Sequence, residues 1–135
     1  MFAWHARVYY EDTDASGVVY HARYLAFFER ARTELLRSAG FSQQELLERE
    51  KVAFTISRIQ VDYRKPARLD DELLIQTTIE PGRALIEFDQ HLLRQPDGEL
   101  LATARVKAGC VDLARFRPQR IPSHITEALR AQTKQ

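Results

Sequence analysis

The chain has 135 residues, with 20 Lys and Arg against 19 Asp and Glu and a formal net charge of +1. That length fits one domain spanning residues 1–135, and a hydrophobic content of 44% supplies its core. The near balance of charge gives no field of the kind that gathers nucleic acid, the single cysteine, Cys110, excludes an internal disulfide framework or cysteine zinc site, and no apolar run approaches the ~20 residues that span a bilayer.

The N-terminus lacks the basic-then-apolar order of a signal peptide, so a cytoplasmic protein is expected. Residues 4–10 alternate, with Trp4, Ala6, Val8 and Tyr10 on one face and His5, Arg7 and Tyr9 on the other, which predicts a strand. Residues 12–17 are turn formers. Over residues 23–38 the period changes: Tyr24, Phe27, Phe28, Ala31 and Leu35 form one apolar stripe. The spacing predicts a helix ~24 Å long, ended by Gly40. Its other side carries Arg30, Thr33, Glu34 and Arg37, with Arg30 and Glu34 spaced to pair. Ser42-Gln43-Gln44-Glu45 is a capping-box pattern, and Phe41 and Leu46 are placed as its hydrophobic staple. This predicts a short helix that stops near Glu50 or Lys51.

Strands follow. Phe54 and Ile56 alternate, then Ile59, Val61 and Tyr63 alternate in the opposite phase, so a bulge is expected near Ser57 and Arg58. Pro66 and Asp70-Asp71 mark a turn. Leu73, Ile75, Thr77 and Ile79 line one face of the next strand, and Pro81-Gly82 turns the chain. Ile86, Phe88 and Leu92 continue to a turn at Pro96-Asp97-Gly98. A last long strand presents Leu100, Ala102, Ala104, Val106, Ala108 and Cys110 on one face. Those small residues call for a bulky partner. Pro118, Pro122 and a weak helical tail from Ser123 complete the chain. The reading is α+β: a five-stranded antiparallel sheet wrapped around one long central helix. Dimerisation through an open edge would cover unpaired amides and create a cleft.

The chemistry concentrates between Tyr9 and His21, where a carboxylate on a turn runs into a helix start. A carboxylate acts as base or nucleophile, and the first amides of a helix hold a developing oxyanion. By residue type alone Asp14 fits a turn or N-cap aspartate better than a catalytic one. Asp12 is expected to be structural, and a metal-binding pair with Asp14 is a weak signal, so no metal is expected. His21 offers a backbone amide and an imidazole. Tyr10 fits a packing aromatic as well as a substrate contact. Arg64, Lys65 and Arg68 cluster, and fit a solvated surface or a phosphate-bearing ligand.

The run Tyr10-Glu11-Asp12-Thr13-Asp14 through Gly17-Val18-Val19-Tyr20-His21, with Tyr24-Leu25 and Phe28-Glu29-Arg30-Ala31-Arg32, resembles hotdog-fold acyl-CoA thioesterases of the YbgC and 4-hydroxybenzoyl-CoA type. Phe41-Ser42-Gln43-Gln44, Val52-Ala53-Phe54 and Pro66-Ala67-Arg68-Leu69-Asp70-Asp71 extend the likeness. His21 makes it closest to the YbgC branch, while Ser16 stands where that branch often has glycine. The resemblance implies hydrolysis of a thioester to a free acid and coenzyme A. It implies Asp14 as catalytic carboxylate, His21 at the helix start with its amide as oxyanion donor, and Tyr10 nearby. Val19 and Tyr20 are candidate substrate contacts; Arg58, Arg64, Lys65 and Arg68 are candidates for the nucleotide phosphates. Coenzyme A is then part of the substrate and no cofactor is needed. The resemblance further implies a homodimer or homotetramer with coenzyme A along a subunit interface. It brings an association of close relatives with the Tol-Pal envelope machinery, and for some members with acyl carrier protein or phospholipid synthesis enzymes. The alternative of another class is a module that binds acyl-CoA or acyl carrier protein with little hydrolysis. A hotdog dehydratase fits the motif poorly. Tyr20, Tyr24, Phe28 and Phe54 are candidates for shaping an acyl pocket.

Overall fold

The first strand, β1 (Phe2–Arg7), turns Phe2, Trp4 and Ala6 toward the core and His5 and Arg7 to solvent. This computed structural model describes residues 1–133. β1 stops at Arg7 rather than running on to Tyr10. The cause is local: the Asp12 carboxylate accepts the Tyr9 amide at 2.9 Å, and residues Tyr10–Asp12 close into a 3-10 turn. Tyr10 thereby leaves the alternation and is 83% exposed.

Helix α1 (Arg23–Ser38) has the predicted span, and its stripe of Tyr24, Phe27, Phe28, Ala31 and Leu35 is buried. It ends where Gly40 takes φ +97°. The Gly40 amide donates to the Arg37 carbonyl at 3.0 Å and the Phe41 amide to the Leu36 carbonyl at 2.9 Å, which satisfies carbonyls the helix leaves open. The expected Arg30–Glu34 pair does not form; Glu34 instead meets Arg37 at 3.3 Å, one turn further along the same exposed side. Such a surface pair contributes little either way. Helix α2 (Gln43–Glu45) is capped by Ser42, whose Oγ accepts the Glu45 amide at 3.0 Å. It continues as a π turn over Leu46–Glu50 and stops at Lys51, φ 58°.

The remaining strands are β2 (Val52–Tyr63), β3 (Glu72–Pro81), β4 (Leu85–Gln95) and β5 (Glu99–Asp112). A two-residue strand β6 (Arg117–Pro118) pairs with β5 and was not anticipated. The sheet order is β1-β3-β4-β5-β2, every neighbour antiparallel. The expected bulge lies between Ile56 and Arg58. A second register shift, between Leu92 and Leu93, reverses the phase at the start of β5. Leu101 therefore enters the core, fully buried, where Leu100 was expected.

The sheet curves around α1, the hotdog arrangement. Phe27, Phe28 and Leu35 join one buried cluster with Ala102, Ala104 and Ala108, the small face of β5 meeting bulky side chains. Gln90 interrupts the apolar face of β4 and is fully buried. Its amide nitrogen donates to the Phe28 carbonyl at 3.0 Å and Thr77 Oγ1 at 3.1 Å, and its oxygen accepts from Arg32 Nη1 at 2.9 Å. A buried polar group is tolerated only with such partners. The C-terminal helix α3 (Ser123–Thr133) is a packed element rather than a loose tail, because Ile125 and Leu129 are fully buried. The Met1 ammonium donates to the Thr133 carbonyl and ties the two ends together. No helix among the described residues is long and apolar enough to cross a membrane. Cys110 is buried, and desolvation pushes its thiol pKa up. The outer edge of β2 has no partner strand among the described residues, and Ile56, Ile59 and Tyr63 along it are 49%, 37% and 48% exposed.

Candidate active site

Residues 13–19 form a small hairpin that leads into α1. Thr13 bridges Val19 antiparallel, and the Asp14 amide donates to the Val18 carbonyl at 2.9 Å. Gly17 closes the turn with φ +81°, a conformation that L side chains adopt with strain, and its amide donates to the Asp14 carbonyl at 3.1 Å. The hairpin is fastened to the loop before β3. Val18 bridges Arg68, the Val19 amide donates to the Ala67 carbonyl at 2.8 Å, and the Ala67 amide donates to the Tyr24 hydroxyl at 3.0 Å. Helix, hairpin and loop are thus one connected unit.

The two aspartates of the hairpin differ completely. Asp12 is 4% exposed. Its Oδ1 accepts Arg23 Nη2 at 2.7 Å and Nε at 3.0 Å, its Oδ2 accepts the Tyr9 amide at 2.9 Å, and its carbonyl accepts the Tyr20 amide at 3.0 Å. Both carboxylate oxygens are engaged inside the fold, so Asp12 is structural, as expected, and forms no carboxylate pair with Asp14. Asp14 is exposed. Its Oδ1 accepts the Ser16 hydroxyl at 2.5 Å and the Ser16 amide at 2.8 Å, while Oδ2 has no hydrogen bond within the described residues. The Ser16 hydroxyl first, then the Ser16 amide, hold the Asp14 carboxyl below the usual carboxylate range, against a smaller upward push from desolvation. One oxygen is fixed and the other is open, in a charged group.

At the helix start the Tyr20 carbonyl accepts the Arg23 amide at 2.8 Å. In a planar trans peptide the N–H lies opposite the C=O, so the His21 N–H points away from the helix. It donates to no acceptor among the described residues. The His21 carbonyl in turn accepts the Tyr63 hydroxyl at 2.7 Å, which clamps this peptide to the end of β2. The His21 ring lies 4.5 Å from that of Tyr20 and 6.4 Å, edge-on, from that of Tyr63.

An open cavity of about 350 Å³ occupies the outer sheet face, a second of about 150 Å³ lies between α1 and the Phe54–Ile56 part of β2, and a third of about 260 Å³ lies before α1. The third brings together Val19, His21, Arg64 and Lys65 of the sequence candidates, with Tyr24, Tyr63 and Pro66. Val19 is only 4% exposed and forms its floor, whereas Tyr20 is 47% exposed beside His21. Lys65 is engaged by Glu99 at 3.2 Å. Arg68 sits next to Val18 through the backbone, its side chain exposed. Arg58 lines the outer-face cavity with Arg105 and Lys107, apart from this group. Tyr10 lies on the 3-10 turn and lines none of these cavities. Sequence reasoning missed the clamp by Tyr63. The signal was present in the strand phase, which puts Tyr63 on the same face as Ile59 and Val61, toward the helix.

Comparison with known proteins now bears on this geometry. Residues 8–129 match the model of the thioesterase-like superfamily. The acyl-CoA thioesterase YbgC of Haemophilus influenzae is 49% identical over 128 residues, covering 94% of this chain and 93% of the relative. The acyl-CoA thioester hydrolase YbgC of Escherichia coli is 50% identical over 126 residues, covering 93% and 92%. The crystal structure of a 1,4-dihydroxy-2-naphthoyl-CoA thioesterase from Synechocystis superposes with a TM-score of 0.89 at 26% identity, covering 95% and 94%. With a match over nearly its whole length and half its residues shared with these relatives, the chain belongs to the thioesterase-like superfamily, in the branch of the YbgC acyl-CoA thioesterases.

Proposed function

We propose that the protein hydrolyses acyl-CoA thioesters with Asp14 as the reacting carboxylate and the His21 amide as oxyanion donor. The observation that carries this reading is a charged, half-free carboxylate on the hairpin together with an unspent, outward-facing amide at the helix start into which that hairpin leads. As nucleophile, Asp14 attacks the thioester carbonyl, the C–S bond breaks, and coenzyme A leaves as thiolate and takes a proton from water. Water then cleaves the mixed anhydride and restores the carboxylate. As base, Asp14 instead takes a proton from the attacking water, and the same two products form. In both routes the negative charge on the carbonyl oxygen is met by the His21 N–H. A thiolate is a good leaving group, so no strong acid is required. Arg64 and Lys65, which line the same cavity as His21, are the proposed partners of the nucleotide phosphates, Lys65 by exchanging its pair with Glu99.

The functional unit in this reading is a dimer paired through β2. The His21 cavity lies at the Tyr63 end of that strand and the apolar cavity at the Phe54–Ile56 end. Antiparallel pairing of two β2 edges sets the first cavity of one protomer beside the second of its partner. The acyl group then lies in the partner's cavity of about 150 Å³, among Phe54, Ile56, Ile86 and Phe88. That volume suits a short aliphatic or single-ring acyl group.

Asp14→Asn is the test. It is expected to leave the fold intact and to lower thiol release from butyryl-CoA by roughly 10²–10⁴-fold. Undiminished turnover removes Asp14 from the mechanism. After a single turnover in ¹⁸O-water, label in Asp14 identifies the nucleophilic route with water attacking the anhydride at the Asp14 carbonyl; attack at the acyl carbonyl labels only the product, as the base route does.

A further inference from the structure

Beyond β5 the chain closes a short loop that serves no part of the chemistry above. The Asp112 carboxylate accepts the Ala114 amide at 3.0 Å, and its carbonyl accepts the Phe116 amide at 2.6 Å. The Gln119 amide donates to the Cys110 carbonyl at 2.9 Å and the Ile121 amide to the Arg83 carbonyl at 2.7 Å. These bonds hold the loop against the turn that carries Arg83. Its tip is Phe116, with φ 54° and 67% exposed. Arg115, Arg117 and Arg120 flank it, and all four arginines are exposed. None of the four takes part in an ion pair among the described residues, a state they share with Arg30, Arg32, Arg58, Arg64, Arg68 and Arg130; what sets them apart is their gathering at one loop and the turn it packs on. The one carboxylate built into the loop, Asp112, is committed to the Ala114 amide. Leu85, 40% exposed and paired with Gly109, adds apolar surface at the base.

Four unneutralised cations around one aromatic ring ask for an anionic partner that also accepts apolar surface. The shape narrows the choice. The tip projects, with Phe116 67% exposed and the arginines around it exposed, and it lines none of the three cavities above. A protein partner at a stable interface buries about 800 Å² per side, far more than one protruding ring and its collar provide. A lipid surface needs only insertion of the ring to the headgroup boundary while the arginines meet lipid phosphates. We propose that the β5–β6 loop docks the protein peripherally on an anionic bilayer, with Phe116 entering the interface and Arg83, Arg115, Arg117 and Arg120 on the phosphates. The attraction is local, because the whole chain carries a formal charge of only +1. Each arginine near such a surface strengthens binding about fivefold at low salt, and salt screens the effect.

Flotation of the full chain with vesicles tests this independently of the active-site reading. Retention is expected on phosphatidylcholine mixed with phosphatidylglycerol, not on phosphatidylcholine alone, and is expected to fall as salt is raised. Phe116→Ser should weaken retention at least about tenfold, and the double variant Arg115→Gln, Arg117→Gln about 25-fold. Melting temperature and thioester turnover in solution should stay unchanged in both. In Phe116→Trp, indole emission should shift to the blue on anionic vesicles beyond any change from Trp4. No retention of the unaltered chain on anionic vesicles at low salt overturns the proposal. So does retention that neither variant weakens, displacement by free glycerol phosphate at the concentration of the lipid phosphate, or capture of an acidic protein or single-stranded RNA in place of vesicles.

Discussion

Replacing Asp12 by alanine is expected to unfold the protein more readily while leaving every proposed reacting group in the sequence. The carboxylate is buried and accepts three hydrogen bonds, two from the Arg23 guanidinium and one from the Tyr9 amide. Breaking a buried ion pair by removing one partner costs about 3–5 kcal/mol. The Arg23 side chain is 33% exposed and can regain water, which places the loss toward the lower figure, about 3 kcal/mol. The Tyr9 N–H loses its acceptor and adds about 1 kcal/mol or more. A total of about 4 kcal/mol corresponds to a melting temperature lower by about 10–20 °C for a chain of this size. Asp12→Asn keeps the shape and still accepts from Arg23, but turns an amide toward the Tyr9 N–H, donor against donor; about 2 kcal/mol is expected. Thermal or urea unfolding of both variants, with Arg23→Ala and the double variant, gives the coupling energy directly. Asp14→Asn in the same series should unfold within about 0.5 kcal/mol of the parent, since its carboxylate is exposed. An Asp12→Ala loss under about 1 kcal/mol, or equal stability losses at positions 12 and 14, refutes the division of labour between the two carboxylates.

Ser16→Gly removes the largest cause that lowers the Asp14 pKa. A lowered pKa keeps the carboxylate charged further into acid, so the variant's acid limb in kcat/KM should move to higher pH, with turnover at neutral pH retained; an unmoved limb disconnects Ser16 from the reacting group. Tyr63→Phe deletes the bond to the His21 carbonyl at 2.7 Å. Loss of about 0.5–1.5 kcal/mol of positioning should lower kcat about threefold to tenfold with little change in melting temperature, measured as initial thiol release. Gln90→Ala strands Arg32, Thr77 and the Phe28 carbonyl in the core. About 3 kcal/mol of stability should be lost, and the combination Gln90→Leu, Arg32→Met should restore most of it, read by urea unfolding.

The fold was legible where pattern and local chemistry agreed. The α1 stripe repeats at helical spacing, Gly40 stops it, and the phase slip at Ser57 is a bulge because two residues of one strand face one of the next. Legibility failed where a tertiary partner overrode the alternation. Tyr10 continues the phase of Trp4, Ala6 and Val8, yet the Asp12 carboxylate folds the backbone into a turn before that phase is reached. Leu100 lost its place to Leu101 through a register shift that belongs to the pairing of two strands and to neither strand alone. Gln90 reads as a polar break in a strand until Arg32 and Thr77 are seen on either side of it. The candidate site was legible as a segment, because carboxylate, glycine turn and helix start are contiguous. Its clamp was legible only as a facing: the strand phase turns Tyr63 toward the helix, but its bond to the His21 carbonyl joins residues 42 apart in sequence and belongs to the tertiary fold.

The same hairpin explains why an exposed aspartate suits the proposed reaction. A carboxylate buried like Asp12 needs a full set of donors to remain charged, and a fully donated carboxylate is a poor nucleophile and base. Asp14 escapes this by standing in water, where ionisation costs nothing and one oxygen is left unbonded. Water then has to be excluded when substrate binds, and among the described residues the hairpin's tip, residues 14–17, stands exposed. The edge of β2 supplies the complementary fact: Ile56, Ile59 and Tyr63 stand exposed along a twelve-residue strand with no neighbour on its outer side among the described residues. In the proposed dimer both needs are met by one contact. Pairing across β2 satisfies the open amides, buries the apolar edge, and brings a second protomer over the helix start where the thioester lies.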